Sequence, residues 1–432
     1  MRKGSFDYAT KEAPMRMALA AVLAVLVMGA IAHADPLIAF GRGQLLSLNS
    51  GDRNQFEPSI AADGKGGVYV AWKDGQSGSS HIRYAYSHDY GETWSQDVLL
   101  EHDGYKFQSD PVVVVGEDGR VTVSWVAYNT FTDTAIGFRV SRDRGVTFGE
   151  PSRLSVPTKE GAKDFFDRQW HIVHGDEVIT SYHVGNRIFV TRSSDGGKSV
   201  EGVSNPDGDR RGALSAVLAR SPDGKVHCAW LQFGRRPAIR YSRSADGGKT
   251  WETPKDIVLM YPLDYRGRAQ CFPTIGVDPH GVIHIAWAEG KGRDGSADKA
   301  GDVYAIRSTD GGDTWSAPLK LTDGEDLDEA YKIQPWLHVD QWGRVHVVWI
   351  ERRGARWMVR YALSPDGGKC FSPTVAVTTP HLIRGAYHSD FIAVCSDERF
   401  VYVAAPIPVG GVYSMNVMRA SVSGLPDGPV AR

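Results

Sequence analysis

Apolar residues alternate with small or polar ones in a set of short segments that close on an aromatic ring. They are VYVAW (Val68–Trp72), VTVSW (Val121–Trp125), VHCAW (Val226–Trp230), IHIAW (Ile283–Trp287) and VHVVW (Val345–Trp349). A period of two marks a strand with one buried face. VITSY, ending at Tyr182, is a degraded copy, and VYVAA, ending at Ala405, is a further one. Ahead of these segments run apolar stretches that open on proline: PSIAAD from Pro58, PVVVVG from Pro111, PTIGVD from Pro273 and PWLHVD from Pro335. Each pair is separated by a turn carrying Gly or Asp, as in DGKGG, EDGR and DPHG, which predicts tight hairpins. Long helical periodicity is absent, so the pattern predicts an all-β chain.

An octamer recurs in phase with the strands. SHDYGETW (Ser87–Trp94), SRDRGVTF (Ser141–Phe148), SSDGGKSV (Ser193–Val200), SADGGKTW (Ser244–Trp251), STDGGDTW (Ser308–Trp315) and SPDGGKCF (Ser364–Phe371) share one template. Their aspartates, Asp89, Asp143, Asp195, Asp246, Asp310 and Asp366, recur every ~50 to 65 residues, a period that signals a repeat architecture. One unit reads first strand, turn, second strand, loop, third strand, octamer, fourth strand. Four antiparallel strands per unit predict a β-propeller blade. Pairs of first and second strands favour seven blades. Six is the alternative if the weakly patterned unit 164–205 is not a full blade. The last unit, about 388 to 422, lacks a fourth strand, and GQLLSLNS (Gly43–Ser50) is expected to supply it and close the ring without open edges. The octamer aspartates are read as structural, bonding backbone N–H groups across a turn that the glycines permit. Six copies on six blades would not converge on one substrate.

Composition agrees. Among 432 residues there are 48 glycines and 12 tryptophans, and the net charge of −2 carries no basic face for nucleic acid. The N-terminal region reads as an address: Arg16, the apolar run Met17–Ala32, then Ala32-His33-Ala34 as a small-x-small cleavage site. Residues 1–34 are therefore expected to be a signal peptide with a mis-called leader, and 35–432 a single propeller domain, secreted or periplasmic, with no membrane span once the signal is cleaved. Cys228, Cys271, Cys370 and Cys395 match no disulfide framework or zinc spacing. Cys228–Cys271 is one pairing export would permit, and Cys370, at an octamer threonine position, reads as a small buried side chain.

The octamers resemble the aspartate boxes (BNR repeats) of the sialidase superfamily, from about Gln55 to Arg419. That resemblance implies a propeller with three arginines clamping a substrate carboxylate, a tyrosine nucleophile helped by glutamate, and an aspartate acid/base. It places Asp74 as the acid/base, Tyr387 as the nucleophile and Glu289 as its helper. Where the family's first arginine stands, this chain has Glu57, in Phe56-Glu57-Pro58-Ser59, which would repel a carboxylate.

Topology adds a mouth. Turns between first and second strands share a face with the octamers, so residues before each first strand and after each second strand line the other face around the channel. Glu57, Asp110, Arg168, Arg268, Tyr331, Arg352 and His388 are the expected substrate-binding groups there, near the aromatic stretches FFDRQWH and YKIQPW. No cofactor or metal is expected. The expected ligand is a glycan or small carbohydrate, with a protein partner as an alternative. Three functions follow: a sialidase-type exo-glycosidase, a non-catalytic glycan- or protein-binding propeller, and a polysaccharide lyase.

Overall fold

The computed structural model describes residues 38–47, 54–76, 78–100, 104–156, 165–208, 210–234, 237–260, 264–265, 268–269, 272–290, 301–322, 330–382, 391–409 and 411–425. The fold is all-β. Among the described residues there is no helix, and hence none long and apolar enough to cross a membrane.

The strands form four-stranded antiparallel sheets in sequence order. The first sheet holds Asn54–Ala62, Val68–Gln76, Ser79–Ser87 and Val98–Leu100. The second holds Phe107–Val115, Val121–Thr130, Asp133–Ser141 and Ser152–Arg153, and one parallel bridge, Ser80 to Phe107, joins it to the first. The weakly patterned stretch folds as a complete sheet of the same kind: Phe166–His174, Glu177–Val184, Arg187–Ser193 and Gly202–Ser204. Next come Ala213–Arg220, Val226–Gln232, Ala238–Ser244 and Lys255–Leu259, followed by Thr274–Val277, Ile283–Gly290, Gly301–Ser308 and Leu319–Lys320. Tyr331–Val339, Val345–Arg353, Arg356–Ser364 and Val375–Ala376 then make a sheet to which His381–Leu382 also pairs. In the last sheet, Ala393–Ser396, Phe400–Val409 and Val412–Ser421 are joined by Gln44–Leu45, which lies antiparallel opposite Val417 and Asn416. A strand from the N-terminal side thus completes a sheet made otherwise of the C-terminal residues.

The core lies between sheets. Trp72, Trp125, Trp230, Trp287 and Trp349 are fully buried, as the apolar-aromatic segments require. One cluster joins Tyr69, Ile82 and Tyr84 of the first sheet to Val113, Val121 and Trp125 of the second. Another joins Ile60, Val70 and Trp72 to Cys395, Tyr402 and Met415 of the last sheet. A sheet hydrophobic on both faces cannot stand alone, so each depends on its neighbours.

The octamer closes a local turn and then reaches outward. In the first, Asp89 accepts from Thr93 N at 2.9 Å, Thr93 Oγ1 at 2.5 Å and Ser87 Oγ at 2.7 Å, while Gly91 N donates to Ser87 Oγ at 2.9 Å. The other copies repeat this net. In the last, Cys370 Sγ replaces the threonine hydroxyl, lying 2.9 Å from Asp366. Cys370 is therefore exposed rather than buried, because the turn holds that position in solvent. Cys228 is a buried free thiol, and Cys271 lies outside the described residues.

The fourth octamer residue is left-handed whether or not it is glycine: Tyr90 (φ 62°), Arg144 (57°), Gly311 (72°) and Gly367 (70°). In four of the six copies its carbonyl accepts from the sheet before it. Arg419 of the last sheet donates to Tyr90 O at 2.6 Å, and His88 Nε2 contacts Arg144 O at 2.8 Å. Arg243 reaches Gly311 O at 2.6 Å, and Arg307 reaches Gly367 O at 3.2 Å. The following glycine seats an aromatic of the preceding sheet: Tyr84 against Gly145, Phe138 against Gly197, and Tyr241 against Gly312.

Gly312→Ala should be destabilising by roughly 1 to 3 kcal/mol more than Gly281→Ala in chemical denaturation. Both sites have positive φ, but a Cβ at Gly312 meets Tyr241 while nothing lies within 4 Å of one at Gly281. Equal losses would show that φ alone matters. Acid should also unfold the protein. Burial pushes His171 down to about 3 and His227 and His338 down to about 4. The unfolded chain therefore takes up protons first, and stability present above about 6.5 is lost as pH falls toward 4. Denaturant titrations from pH 7 to 4 should show that slope, flattened in His227→Gln.

Candidate functional site

Three first strands begin before the prolines on which the sequence pattern opens them, Pro58, Pro111 and Pro335, and slip in register there, whereas Thr274–Val277 begins after Pro273. Register slips between Phe56 and Ser59, Ser109 and Val112, Asp167 and Trp170, Leu214 and Val217, and Ile333 and Trp336. Inside each slip one non-glycine residue is left-handed: Glu57 (φ 52°), Asp110 (52°), Arg168 (48°), Ser215 (53°) and Gln334 (51°). Proline follows three of them, at Pro58, Pro111 and Pro335. Its missing N–H suits a bulge, where ladder pairing is already broken. Such conformations cost of order 1–3 kcal/mol each and collect at functional sites.

These bulges gather around one cavity of about 60 Å³. Asp110, Arg168, Ser215 and Gln334 line it with Trp170, Trp336, Phe272 and Phe391. Trp170 and Trp336, from different sheets, meet at 5.2 Å between ring centroids, and Trp170 Nε1 is anchored on Leu218 O at 3.0 Å. Phe391 leans on Trp336 edge-on at 6.3 Å. The result is a rigid aromatic wall with polar groups set against it.

Arg168 carries the strongest unmet demand. Its guanidinium lies 4.0 Å from the Phe272 ring and 4.9 Å from the Phe391 ring, with no ion pair among the described residues. Held by cation–π contacts, it keeps its N–H donors for a ligand. Asp110 sits beside it. Burial, then the negative charges of Glu57 and Asp167, push its carboxyl well above the ordinary range, against the pull of Arg168 and Lys73. Gln169 Nε2 donates to the Asp110 carbonyl. Glu57 accepts from Lys73 Nζ at 3.0 Å and from the Asp110 backbone N–H at 3.0 Å. Burial works against the Lys73 charge, but Glu57 and Asp110 overcome it and raise its pKa. His183 stands 3.6 Å from Asp167, and burial pushes it down to about 4, so it is neutral at pH 7.

The structure thus brings together Glu57, Asp110 and Arg168. It places four other expected residues away from the cavity lining. Asp74 is buried, with its carboxylate on Arg83 Nε, and Arg83 also bonds Asp97 at 2.5 Å. Glu289 accepts from Trp287 Nε1 at 3.3 Å. Tyr331 faces Arg352 across two strands, and Arg352 Nε donates to Gly354 O at 3.0 Å. Arg268 belongs to a two-residue strand paired with Asp264–Tyr265, and its side chain lies outside what is described. Tyr387 and His388 also lie outside the described residues. Sequence reasoning did not single out Lys73, Ser215, Phe272 or Phe391. A proline inside an apolar strand was the available signal for the bulges at Glu57, Asp110 and Gln334. Ser215 has no such mark.

Asp110→Asn should stabilise the protein at pH 8 and leave it unchanged near pH 4. With a folded pKa above 3.8, the folded state binds the proton more tightly, so wild-type stability falls as pH rises through the raised value. The difference between variant and wild-type unfolding free energies should therefore grow with pH. A flat difference would mean that Asp110 ionises without penalty.

Residues 85–96 match the BNR/Asp-box repeat. No curated protein is similar to the chain in sequence. Solved structures share its fold. A polysaccharide lyase, an ulvan lyase bound to -[GlcA(1-4)Rha3S]-, superposes with a TM-score of 0.54 at 12% identity, over 87% of this chain and 95% of that one. The K499G mutant of the NanB sialidase from Streptococcus pneumoniae gives 0.51 at 12% identity, over 75% and 68%. The Penicillium chrysogenum alpha-L-arabinanase complexed with arabinobiose gives 0.50 at 13% identity, over 90% and 100%. The chain thus carries a BNR/Asp-box repeat and is similar in fold to a sialidase, an arabinanase and a polysaccharide lyase.

Proposed function

We propose that this chain is an exported seven-bladed propeller, closed by its N-terminal strand, which binds the end of an acidic glycan in the Arg168 cavity and cleaves it. The observation that carries this reading is the unpaired guanidinium of Arg168 held between Phe272 and Phe391. A sugar acid supplies both the carboxylate such a guanidinium takes and the C–H faces that aromatic rings take. Ser215 and Gln334 offer hydroxyl and amide groups to the remaining ring oxygens. Asp110 lines the same cavity, and burial and its acidic neighbours raise its proton affinity, which suits it to give a proton to a departing glycosidic oxygen.

The site differs from the arginine triad that the family resemblance implies. Glu57 holds the first arginine's place and is neutralised by Lys73, and Arg168 is the arginine that lines the cavity among the described residues. The acid role moves in this reading from Asp74 to Asp110, because Asp74 is spent on Arg83. The roles of Tyr387, Glu289, Arg268, Arg352, Tyr331 and His388 as catalytic or binding groups remain part of the wider proposal. Residues 1–34 are proposed as the cleaved signal.

A lyase is the second reading, favoured by His183. Neutral at pH 7 beside Asp167, it can take the proton next to a uronate carboxylate while Arg168 neutralises that carboxylate. The ulvan lyase of similar fold is bound to a glycan containing GlcA.

Calorimetry with 3′-sialyllactose and trigalacturonate, against neutral lactose, tests the site. At least one acidic sugar should bind, and Arg168→Ala should weaken it about 10-fold or more, the worth of a charge-assisted hydrogen bond. Lactose should respond to neither. If neither acid binds, or Arg168→Ala binds as well as wild type, the reading fails. Hydrolysis and elimination separate by product: only elimination leaves an absorbing unsaturated uronate. Binding without turnover leaves a non-catalytic glycan-binding propeller.

A further inference from the structure

A file of aromatic rings runs to the surface from the strand pair that carries Asp110. Tyr128 ends the second strand of its sheet, where Lys73, Glu57, Asp110 and Asp167 all act on its hydroxyl. Phe107 stacks on Tyr128 at 5.2 Å with 18° between planes. Phe165, entering the next sheet, meets Tyr128 edge-on at 5.2 Å, and Phe131 meets Phe165 at 5.3 Å. Phe131 is 75% exposed on the hairpin between strands Val121–Thr130 and Asp133–Ser141.

The local fold spends polar groups to hold this hairpin in place. Asn129 Nδ2 donates to Gly104 O and to Asp133 Oδ2, both at 2.8 Å, and Asn129 Oδ1 accepts from Lys106 N at 2.9 Å. Thr130 Oγ1 accepts from Asp133 N at 3.1 Å. Phe131 is thus held on a pinned turn, with one edge on Phe165 and the rest of its ring in solvent.

Resting on the acidic-glycan reading of the cavity, we infer that these rings form a binding track for the second and later sugars of the same chain. The ligand is thus an oligosaccharide rather than a single terminal sugar. Continuity decides the occupant: the track begins at Tyr128, which pairs with Phe107 on the strand that carries Asp110, and ends in solvent at Phe131. Its rings alternate with Lys106, Asn129 and Thr130, which suits a surface of C–H faces and hydroxyls better than a wholly apolar one.

The test is binding of galacturonate oligomers of one to five units, with 3′-sialyllactose alongside, to wild type, Phe131→Ala and Leu259→Ala. Phe131 and Leu259 are both exposed, so each variant should keep the wild-type melting temperature. Affinity should climb with oligomer length. Phe131→Ala should weaken the longer oligomers about 3- to 10-fold, the worth of one aromatic contact, leave the monomer unchanged, and differ from Leu259→Ala. Length-independent affinity, or equal loss for monomer and pentamer, overturns the track while the cavity reading stands. Binding of sialyllactose but of no galacturonate does the same. If nothing in the series binds, the cavity reading fails and takes the track with it.

Discussion

The rest of this fold depends on how one sheet holds the next, through shared apolar clusters and, at four of the six octamers, through a carbonyl. The fourth residue of the octamer is forced into left-handed φ, which turns its C=O toward the preceding sheet. There it accepts from Arg419, His88, Arg243 or Arg307. The aspartate does not make this contact. It ties the turn with side-chain and backbone bonds, so that the carbonyl and the next glycine stay where the neighbour needs them. The cost of φ near 60° at Tyr90 and Arg144 is offset by that net. The same device operates between the first and last sheets, where Arg419 also pairs with Glu92, and Tyr90 bonds Glu398 at 2.8 Å.

The candidate site uses the same backbone conformation for a different end. At the bulges, left-handed residues sit where the first strands come together, and the side chains differ: acid, acid, arginine, serine, amide. The scaffold is shared and the chemistry is individual, as expected when function is grafted onto a repeat. Charge is balanced unevenly. Lys73 answers Glu57, while burial and acidic neighbours raise the Asp110 pKa and Arg168 keeps its place on two phenylalanine rings. An anion entering the cavity would meet that guanidinium without first breaking an ion pair, which removes the usual penalty for binding at an arginine.

Much of the fold was legible in the chain. The period-two segments that end in tryptophan became buried strands because alternation and burial are local properties. The octamer's structural role was legible for the same reason, since Ser, Asp, Gly and Thr at fixed offsets can close a turn by themselves. Cys370 was misjudged as buried because its environment is set by the turn's exposure, not by its own polarity. Of the site, Glu57, Asp110 and Arg168 could be placed at the mouth by counting strands. Phe272 and Phe391 could not, because they lie outside the alternating segments and acquire meaning only through Arg168.

By itself, then, the sequence determined the unit: four strands, a tight hairpin, an aspartate-closed turn and a buried indole. Each rests on interactions among residues close in the chain, or on a periodicity visible within it. Only the tertiary structure decided which residues meet. Asp110, Arg168, Ser215, Gln334 and the rings of Phe272 and Phe391 belong to different units. Their distances, the raised proton affinity of Asp110 and the ring contacts of Arg168 follow from packing between sheets. Three of the four proline-opened strands, at Pro58, Pro111 and Pro335, carry a bulge, and the strand after Pro273 does not. A local pattern can mark the proline, but it cannot say what the bend will face.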